Sequence, residues 1–155
     1  MEYRKIDIVT LEIVDCGTDG EGIGKADGFT VFVKDAVIGD TIVAKIMKAK
    51  KNYGYGRLME ILKPSPYRVE PVCLSARQCG GCQLQAVSYE EQKVFKEKKL
   101  RGHLERIGGF TNLPMEPLIG MDEPYHYRNK AQFPVGRNKE GKLSLVLCWT
   151  YTRYY

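Results

Sequence analysis

The chain has 155 residues, 43% of them hydrophobic and 28% charged, which is the balance of a globular protein and excludes a largely disordered one. No run reaches the roughly 18 apolar residues of a membrane span, and the polar first residues do not resemble a secretion signal, so we expect a cytoplasmic protein without membrane attachment. The formal net charge of +5 at pH 7 is a mild cationic excess that suits a polyanionic partner.

The first segment, residues 1–63, is predicted to be a small β-barrel. Apolar and polar residues alternate in several stretches, as they do in half-buried strands, and glycine-rich turns separate the stretches. Residues 17–24 are rich in glycine and are predicted to form a loop. Short strands with such turns are typical of an OB-like barrel. Together with the helix predicted in the second segment, they indicate a fold that is mainly β with one long helix (α+β). The predicted strands are residues 6–14, 29–33, 41–46 and 55–62.

A cluster of cations and tyrosines lies near the end of this predicted barrel. Between Thr41 and Met59 there are five cations and no acidic residue. Cations bind phosphates, and unpaired bases stack on aromatic rings, so the cluster is a candidate surface for a nucleic acid. The alternatives are a solvated strand face for the cations and ordinary packing for the tyrosines. The candidate residues are Lys45, Lys48, Lys50, Lys51, Tyr53, Tyr55 and Arg57.

The second segment, residues 64–112, is predicted to begin at the prolines Pro64 and Pro66, which cannot continue a central strand. Ser88 followed by Glu91 is a capping box that predicts the start of a helix. Its predicted end is Gly108-Gly109. An imperfect apolar stripe is formed by Val94, Leu100, Leu104 and Ile107. The opposite face of the helix mixes cations with acidic residues and is expected to be solvated.

The third segment, residues 113–155, is predicted to return to β-structure. Residues 130–135 can pair with residues 142–147 across a turn-forming connection. The segment is short for a domain of its own, so we expect it to be the start of an incomplete central domain.

Three of the five cysteines are concentrated between Cys73 and Cys82, which indicates metal ligation rather than disulfides in a reducing compartment. Cys79-Gly80-Gly81-Cys82 places two sulfurs on a turn that glycine allows to be tight, and Cys73 can join them from the preceding loop. Thiolates suit both zinc and an iron–sulfur cluster, and the spacing leaves both open. Cys16 is expected to be a small core or surface residue of the barrel instead.

The run from Cys73 to Gln85, Cys-x5-Cys-Gly-Gly-Cys-Gln-Leu-Gln, resembles the iron–sulfur segment of the RNA (uracil-5-)-methyltransferases. Residues 106–109 and 124–135 resemble the end of that family's helix and the opening of its central domain. The predicted barrel is similar to a TRAM domain, the RNA-binding module that opens many of these enzymes. The resemblance implies a [4Fe–4S] cluster with Cys73, Cys79 and Cys82 as ligands, and a fourth ligand further along the family's chain. It also adds Arg128 and Lys130 as candidate RNA contacts.

The resemblance implies an S-adenosylmethionine-dependent enzyme that methylates uridine in ribosomal RNA, with transfer RNA as the alternative. The family's methyl-donor site and nucleophilic cysteine lie on a Rossmann-like domain, so no catalytic residue is assigned here and we expect this chain to be monomeric and inactive alone. A stand-alone RNA-binding or iron–sulfur sensing protein is a second hypothesis. A radical methylthiotransferase is a third, but its Cys-x3-Cys-x2-Cys motif is not in the sequence.

The C-terminal residues 144–155 depart from the resemblance and end in several large aromatic side chains. Codons can be chosen for residues 146–155 so that the next reading frame encodes Phe-Tyr-Ala-Gly-Arg-Thr-His-Asp-Ile, which resembles the family's continuation. We therefore expect a frameshift at this point, with a natural short protein as the alternative.

Overall fold

The computed structural model describes residues 4–79, 81–130, 132–133, 135–138 and 140–145, the side chains of Gln78 and Cys79 excepted. Of the C-terminal residues 144–155, for which a frameshift is expected, only Ser144 and Leu145 are among the described residues. Cys148 lies outside them.

A closed five-stranded barrel forms the N-terminal part, with the strand order β1-β2-β3-β5-β4 and β4 paired back to β1. All neighbouring strands are antiparallel except β3 and β5, which are parallel. The mainly β class with a barrel and one long helix is therefore confirmed. The strands are β1 (Ile8–Cys16), β2 (Gly22–Ala26), β3 (Phe29–Val33), β4 (Thr41–Ala49) and β5 (Tyr53–Lys63).

The barrel interior is filled by the alternate residues of each strand. On β1, Val9, Leu11 and Ile13 are buried while their neighbours Thr10 and Glu12 are exposed. This period of two is the one expected for a strand with one face on a core. The same alternation on β3 and β4 completes an aliphatic core of Val9, Leu11, Ile13, Val31, Val33, Ala36, Ile42, Ala44 and Ile46.

The prediction of a loop at residues 17–24 was wrong in its second half, because β2 begins at Gly22. Gly22 and Gly24 are buried and occupy inward positions of β2. A Cβ atom at Gly22 would lie 2.8 Å from the carbonyl oxygen of Ala36, and one at Gly24 would lie 2.8 Å from that of Glu12. These glycines therefore mark close packing inside a strand rather than a turn.

Beyond the barrel lie a single-turn helix α1 (Ala76–Cys79) and the long helix α2 (Tyr89–Arg106). The predicted helix start is confirmed, because the Ser88 hydroxyl accepts a hydrogen bond from the Glu91 amide at 3.4 Å. Three of the four residues of its apolar stripe are exposed, since Val94 and Leu100 are about half exposed and Ile107 is 82% exposed. The helix instead contacts the barrel loop through Lys99, whose Nζ donates to the Thr18 carbonyl at 3.1 Å.

A short hairpin of β6 (Val135–Arg137) and β7 (Leu143–Leu145) follows. Val135 pairs with Leu145 and Arg137 with Leu143, so the predicted hairpin exists. Its first strand begins later than expected, at the last residue of the predicted range 130–135.

Candidate nucleic-acid interface and cysteine loop

The outer face of β4 and β5 brings together several of the predicted RNA-binding residues. On β5, Tyr53, Tyr55 and Arg57 alternate with Gly54 and Gly56, whose Cα atoms face the core. Tyr53 and Tyr55 are 38% and 45% exposed, and Arg57 is exposed as well. The strand period therefore places all three side chains on the same outer surface.

Strand pairing places the β4 lysines beside this row. Lys45 is the register partner of Arg57, and Lys48 is the register partner of Tyr55. Paired residues of neighbouring strands have Cβ atoms about 5 Å apart, so the cations lie alongside the rings. Lys50 and Lys51 are exposed at the turn between the two strands, where the Lys50 amide donates to the Tyr53 carbonyl at 2.8 Å.

Phe32 on β3 belongs to the same surface, although it was not among the residues predicted to bind RNA. Its ring centroid is 5.9 Å from that of Tyr53 and 5.7 Å from that of Tyr55, and the two tyrosine centroids are 5.8 Å apart. Phe32 pairs in register with Tyr55 across the parallel β3–β5 contact. The signal available in the sequence was the position of Phe32 between Val31 and Val33, which are both fully buried.

Arg128 and Lys130 are exposed, but they lie outside the barrel in a stretch without helix or strand. Seven of the nine predicted RNA contacts therefore lie on or beside one barrel face, and the other two lie in this later stretch of the chain.

The cysteine segment is a loop that is closed at its base by backbone pairing. Arg68 and Val87 form an isolated antiparallel bridge. The Val69 amide donates to the Ala86 carbonyl at 3.0 Å, and the Ser88 amide donates to the Tyr67 carbonyl at 2.8 Å. Cys73, Cys79 and Cys82 all lie between these two paired stretches.

A buried ion pair fixes the base of this loop to the barrel. Asp40 is fully buried, and its carboxylate accepts hydrogen bonds from the backbone amides of Val37 and Ser65 at 2.7 and 2.8 Å. Arg68 donates to both of its oxygens, from Nε at 3.1 Å and from Nη2 at 2.5 Å. Nη2 also donates to the Asp35 carbonyl at 2.8 Å.

Burial alone would raise the pKa of Asp40, but the hydrogen bonds from Arg68, Ser65 and Val37 outweigh it and hold the pKa below its usual value. Asp40 is therefore a carboxylate at neutral pH, and every bond that it accepts is charge-assisted.

Among the three loop cysteines, Cys73 and Cys82 are exposed free thiols, and Cys79 is the last residue of α1. The Cys73 amide donates to the Gln85 side-chain oxygen at 3.3 Å, which ties the two ends of the loop together. Within the described part of the chain, which omits the Cys79 side chain, no group of three His, Cys, Asp or Glu residues is placed to hold a metal ion. The donor chemistry still fits a thiolate-bound metal, because the two described thiols are unpaired and accessible on one closed loop.

The family model described as the TRAM domain matches residues 6–59, which span the barrel from just before β1 into β5. The barrel is a TRAM domain. The proposal of this module from the sequence is thereby confirmed.

Most of the chain is similar to proteins named RNA methyltransferases. The chain is 46% identical over 141 residues to an "Uncharacterized RNA methyltransferase" of Halalkalibacterium halodurans, covering 91% of this chain and 31% of that protein. A protein of the same name from Clostridium acetobutylicum is 51% identical over 128 residues, covering 81% of this chain and 28% of its own. The chain thus spans about three tenths of the length of these relatives, and its resemblance to RNA methyltransferases is confirmed.

A solution structure of a conserved protein from Methanococcus maripaludis also matches part of the chain. The match has 30% sequence identity and a TM-score of 0.35, and covers 37% of this chain and 81% of that one.

Cys16 behaves differently from the loop cysteines. It ends β1, lies half-buried, and lines a small pocket of about 20 Å³ between the TRAM barrel and α2, with Val37 and Phe95 among the other lining residues. Burial, with the negative charges of Glu21 and Asp15, raises the pKa of the Cys16 thiol to about 11. It is a protonated packing residue.

In the described part of the chain, no helix has the length and apolar character needed to cross a bilayer.

Proposed function

We propose that this chain supplies the RNA-binding and cluster-binding parts of an S-adenosylmethionine-dependent RNA (uracil-5-)-methyltransferase that makes 5-methyluridine in ribosomal RNA. Three observations support the proposal: the TRAM domain, the relatives named RNA methyltransferases, and the cysteine loop. The observation that carries the RNA-binding part is the outer face of β4 and β5, where cations and aromatic rings lie side by side.

This face has the composition of a surface that binds an RNA backbone. Lys48, Lys50, Lys51 and Arg57 are exposed, and no acidic residue interrupts the stretch from Thr41 to Met59. Binding of cations to phosphates releases counterions, which supplies affinity without reading the base sequence. The TRAM barrel therefore supplies affinity for the RNA backbone, while the catalytic domain of the enzyme selects the uridine.

For the cysteine loop, we propose a [4Fe–4S] cluster held by Cys73, Cys79 and Cys82, with zinc as the alternative metal. A bound cluster links the thiolates of a loop that has little apolar core of its own. The family's reaction is attack of a cysteine thiolate on C6 of uracil, methyl transfer to C5 and removal of the C5 proton. No residue of this chain is assigned to those steps, so the chain alone is expected to transfer no methyl group.

A chimera tests the proposal. Residues 4–143 replace the matching part of the Halalkalibacterium halodurans relative, and the product is expressed in a host that lacks 5-methyluridine in its ribosomal RNA. We expect 5-methyluridine in the digested ribosomal RNA, measured by mass spectrometry of nucleosides. A methyl group on another base, or on transfer RNA alone, would overturn the assigned substrate. The matched control is the unmodified relative, which establishes the product that the chimera must reproduce.

A further inference from the structure

We infer that Phe32, Tyr53 and Tyr55 form a stacking site for unpaired bases, through which the TRAM barrel selects single-stranded over double-stranded RNA. This inference rests on the proposed function insofar as the ligand is RNA. It goes further by adding Phe32 to the site and by assigning the strandedness of the RNA that the site takes.

The rings are held in a fixed mutual arrangement. Tyr53 is nearly perpendicular to both of the other rings, at 87° to Phe32 and 83° to Tyr55, whereas Phe32 and Tyr55 are inclined by 34°. Phe32 is half-buried, and the two tyrosines are more exposed. Rings that face in two directions can receive successive bases on different surfaces, and they lose little freedom when a base binds because they already restrain one another.

The lysines of β4 lie on one side of these rings. Strand order places Lys48 on β4, Tyr55 on the adjacent β5 and Phe32 on β3 beyond it. Lys45 and Arg57 continue the charged row along the same strands. A nucleotide is arranged in a matching way, with its phosphate on one side and its base on the other. The face can therefore bind phosphates along β4 while bases reach the rings on β5 and β3.

A duplex cannot use the rings in this way. In an A-form helix the faces of the bases are covered by their stacked neighbours, and the deep major groove is closed to side chains. Duplex RNA would meet the cations alone. If the rings served only to pack against one another, replacing them would lower the stability of the barrel and would weaken the binding of single and double strands equally.

The experiment uses the 155-residue chain with two probes, a fluorescein-labelled oligouridylate and the same strand annealed to oligoadenylate. We expect Tyr53→Leu and Tyr55→Leu each to weaken binding of the single strand roughly 5- to 150-fold, the range for loss of one stacked base, with little change for the duplex. Tyr55→Phe keeps the ring and should keep the affinity. Tyr67→Leu is the matched control, because Tyr67 is similarly exposed at 43% but lies outside the barrel strands.

The wild-type protein provides a second measurement that needs no stable variant. Ring-proton resonances of Phe32, Tyr53 and Tyr55 should shift upfield when oligouridylate is added and should not shift with the duplex. Equal losses for both probes in the leucine variants, or unshifted ring protons with bound single strand, would overturn the stacking site and leave the proposed function standing. Failure of the wild-type chain to bind either RNA would overturn the RNA-binding part of the proposed function as well.

Discussion

Arg68 and Asp40 are joined by two hydrogen bonds in a buried ion pair, and this pair links the base of the cysteine loop to the TRAM barrel. Asp40 lies on the barrel side, between Val37 and β4, and Arg68 lies in the strand bridge that closes the loop. Asp40 also accepts a hydrogen bond from the Ser65 amide, so it fixes the direction in which the chain leaves the barrel. The orientation of the cysteine loop therefore depends on a carboxylate that is distant from it in sequence.

We predict that Arg68→Leu lowers the free energy of unfolding by about 3 kcal/mol, because it leaves the buried Asp40 carboxylate without its cation. Chemical denaturation followed by circular dichroism measures the loss. The control is Arg101→Leu, which removes an exposed ion pair in which Arg101 Nη1 lies 3.7 Å from Glu105 Oε1. This substitution should lower the free energy of unfolding by no more than about 0.5 kcal/mol. Equal effects of the two substitutions would show that burial of the Asp40 pair adds nothing.

A second prediction concerns the stability of the fold at low pH. The pKa of Asp40 is lower in the folded state than in the unfolded chain, so its ionised form favours folding. This contribution is fully present above the unfolded pKa of about 4 and is lost as the pH falls through the lower folded value. We expect Asp40→Asn to be destabilised at pH 7 and to lose part of the wild-type decline in stability on acidification below about pH 4. A pH dependence identical to that of the wild type would contradict the lowered pKa.

The barrel could be predicted from the sequence because its core residues alternate with polar ones. Val9, Leu11 and Ile13 show this period directly. β2 was missed because glycine occupies its inward positions, where the close approach of β1 and Ala36 leaves no room for a side chain. The exposure of Val94 and Leu100 could not be foreseen either, since an apolar stripe does not reveal which face of a helix another element will cover.

The third prediction tests the charged part of the RNA surface. Replacing Lys48, Lys50 and Lys51 together by Gln should weaken RNA binding and reduce the slope of log affinity against log salt by up to about 2, since each lost phosphate contact on a single strand removes about 0.7. Fluorescence anisotropy across a salt series measures this slope. The matched control replaces Lys96, Arg101 and Arg106 on α2, which removes the same charge from an exposed helix face. If both variants lower the slope equally, the effect comes from net charge and not from the barrel face.

The candidate site was partly visible in the sequence for a related reason. The cations and tyrosines of β4 and β5 are neighbours along the chain, so they could be identified from local composition alone. Phe32 joins them only through the parallel pairing of β3 with β5, and Arg68 joins Asp40 across 28 positions of sequence. Contacts that depend on strand order or on a buried pair leave no local pattern to detect.

The fourth prediction concerns Cys16. At pH 8, a thiol pKa of about 11 in place of 9.0 lowers the thiolate fraction on the order of 100-fold, and the thiolate is the reactive form. We therefore expect iodoacetamide to modify Cys16 far more slowly in the native protein than in urea. Peptide mass spectrometry over a time course gives the rate at each cysteine. The exposed Cys82 serves as the internal control, and native Cys16 labelling at the unfolded rate would contradict burial of this thiol.

The last prediction concerns the metal. The chimera carrying residues 4–143 is purified without oxygen, with iron and sulfide supplied, and should be brown from thiolate-to-iron charge transfer. Cys79→Ala and Cys82→Ala should each abolish the colour and lower iron and sulfide together, because each removes one proposed ligand. Cys16→Ala should retain both, since its thiol lies at the edge of the barrel, outside the cysteine loop, and is protonated at neutral pH. Iron, sulfide and zinc are measured on the same samples. A single zinc with neither iron nor sulfide would replace the cluster by a zinc site on the same cysteines, whereas unchanged iron in the Cys79 and Cys82 variants would remove the loop from metal binding altogether.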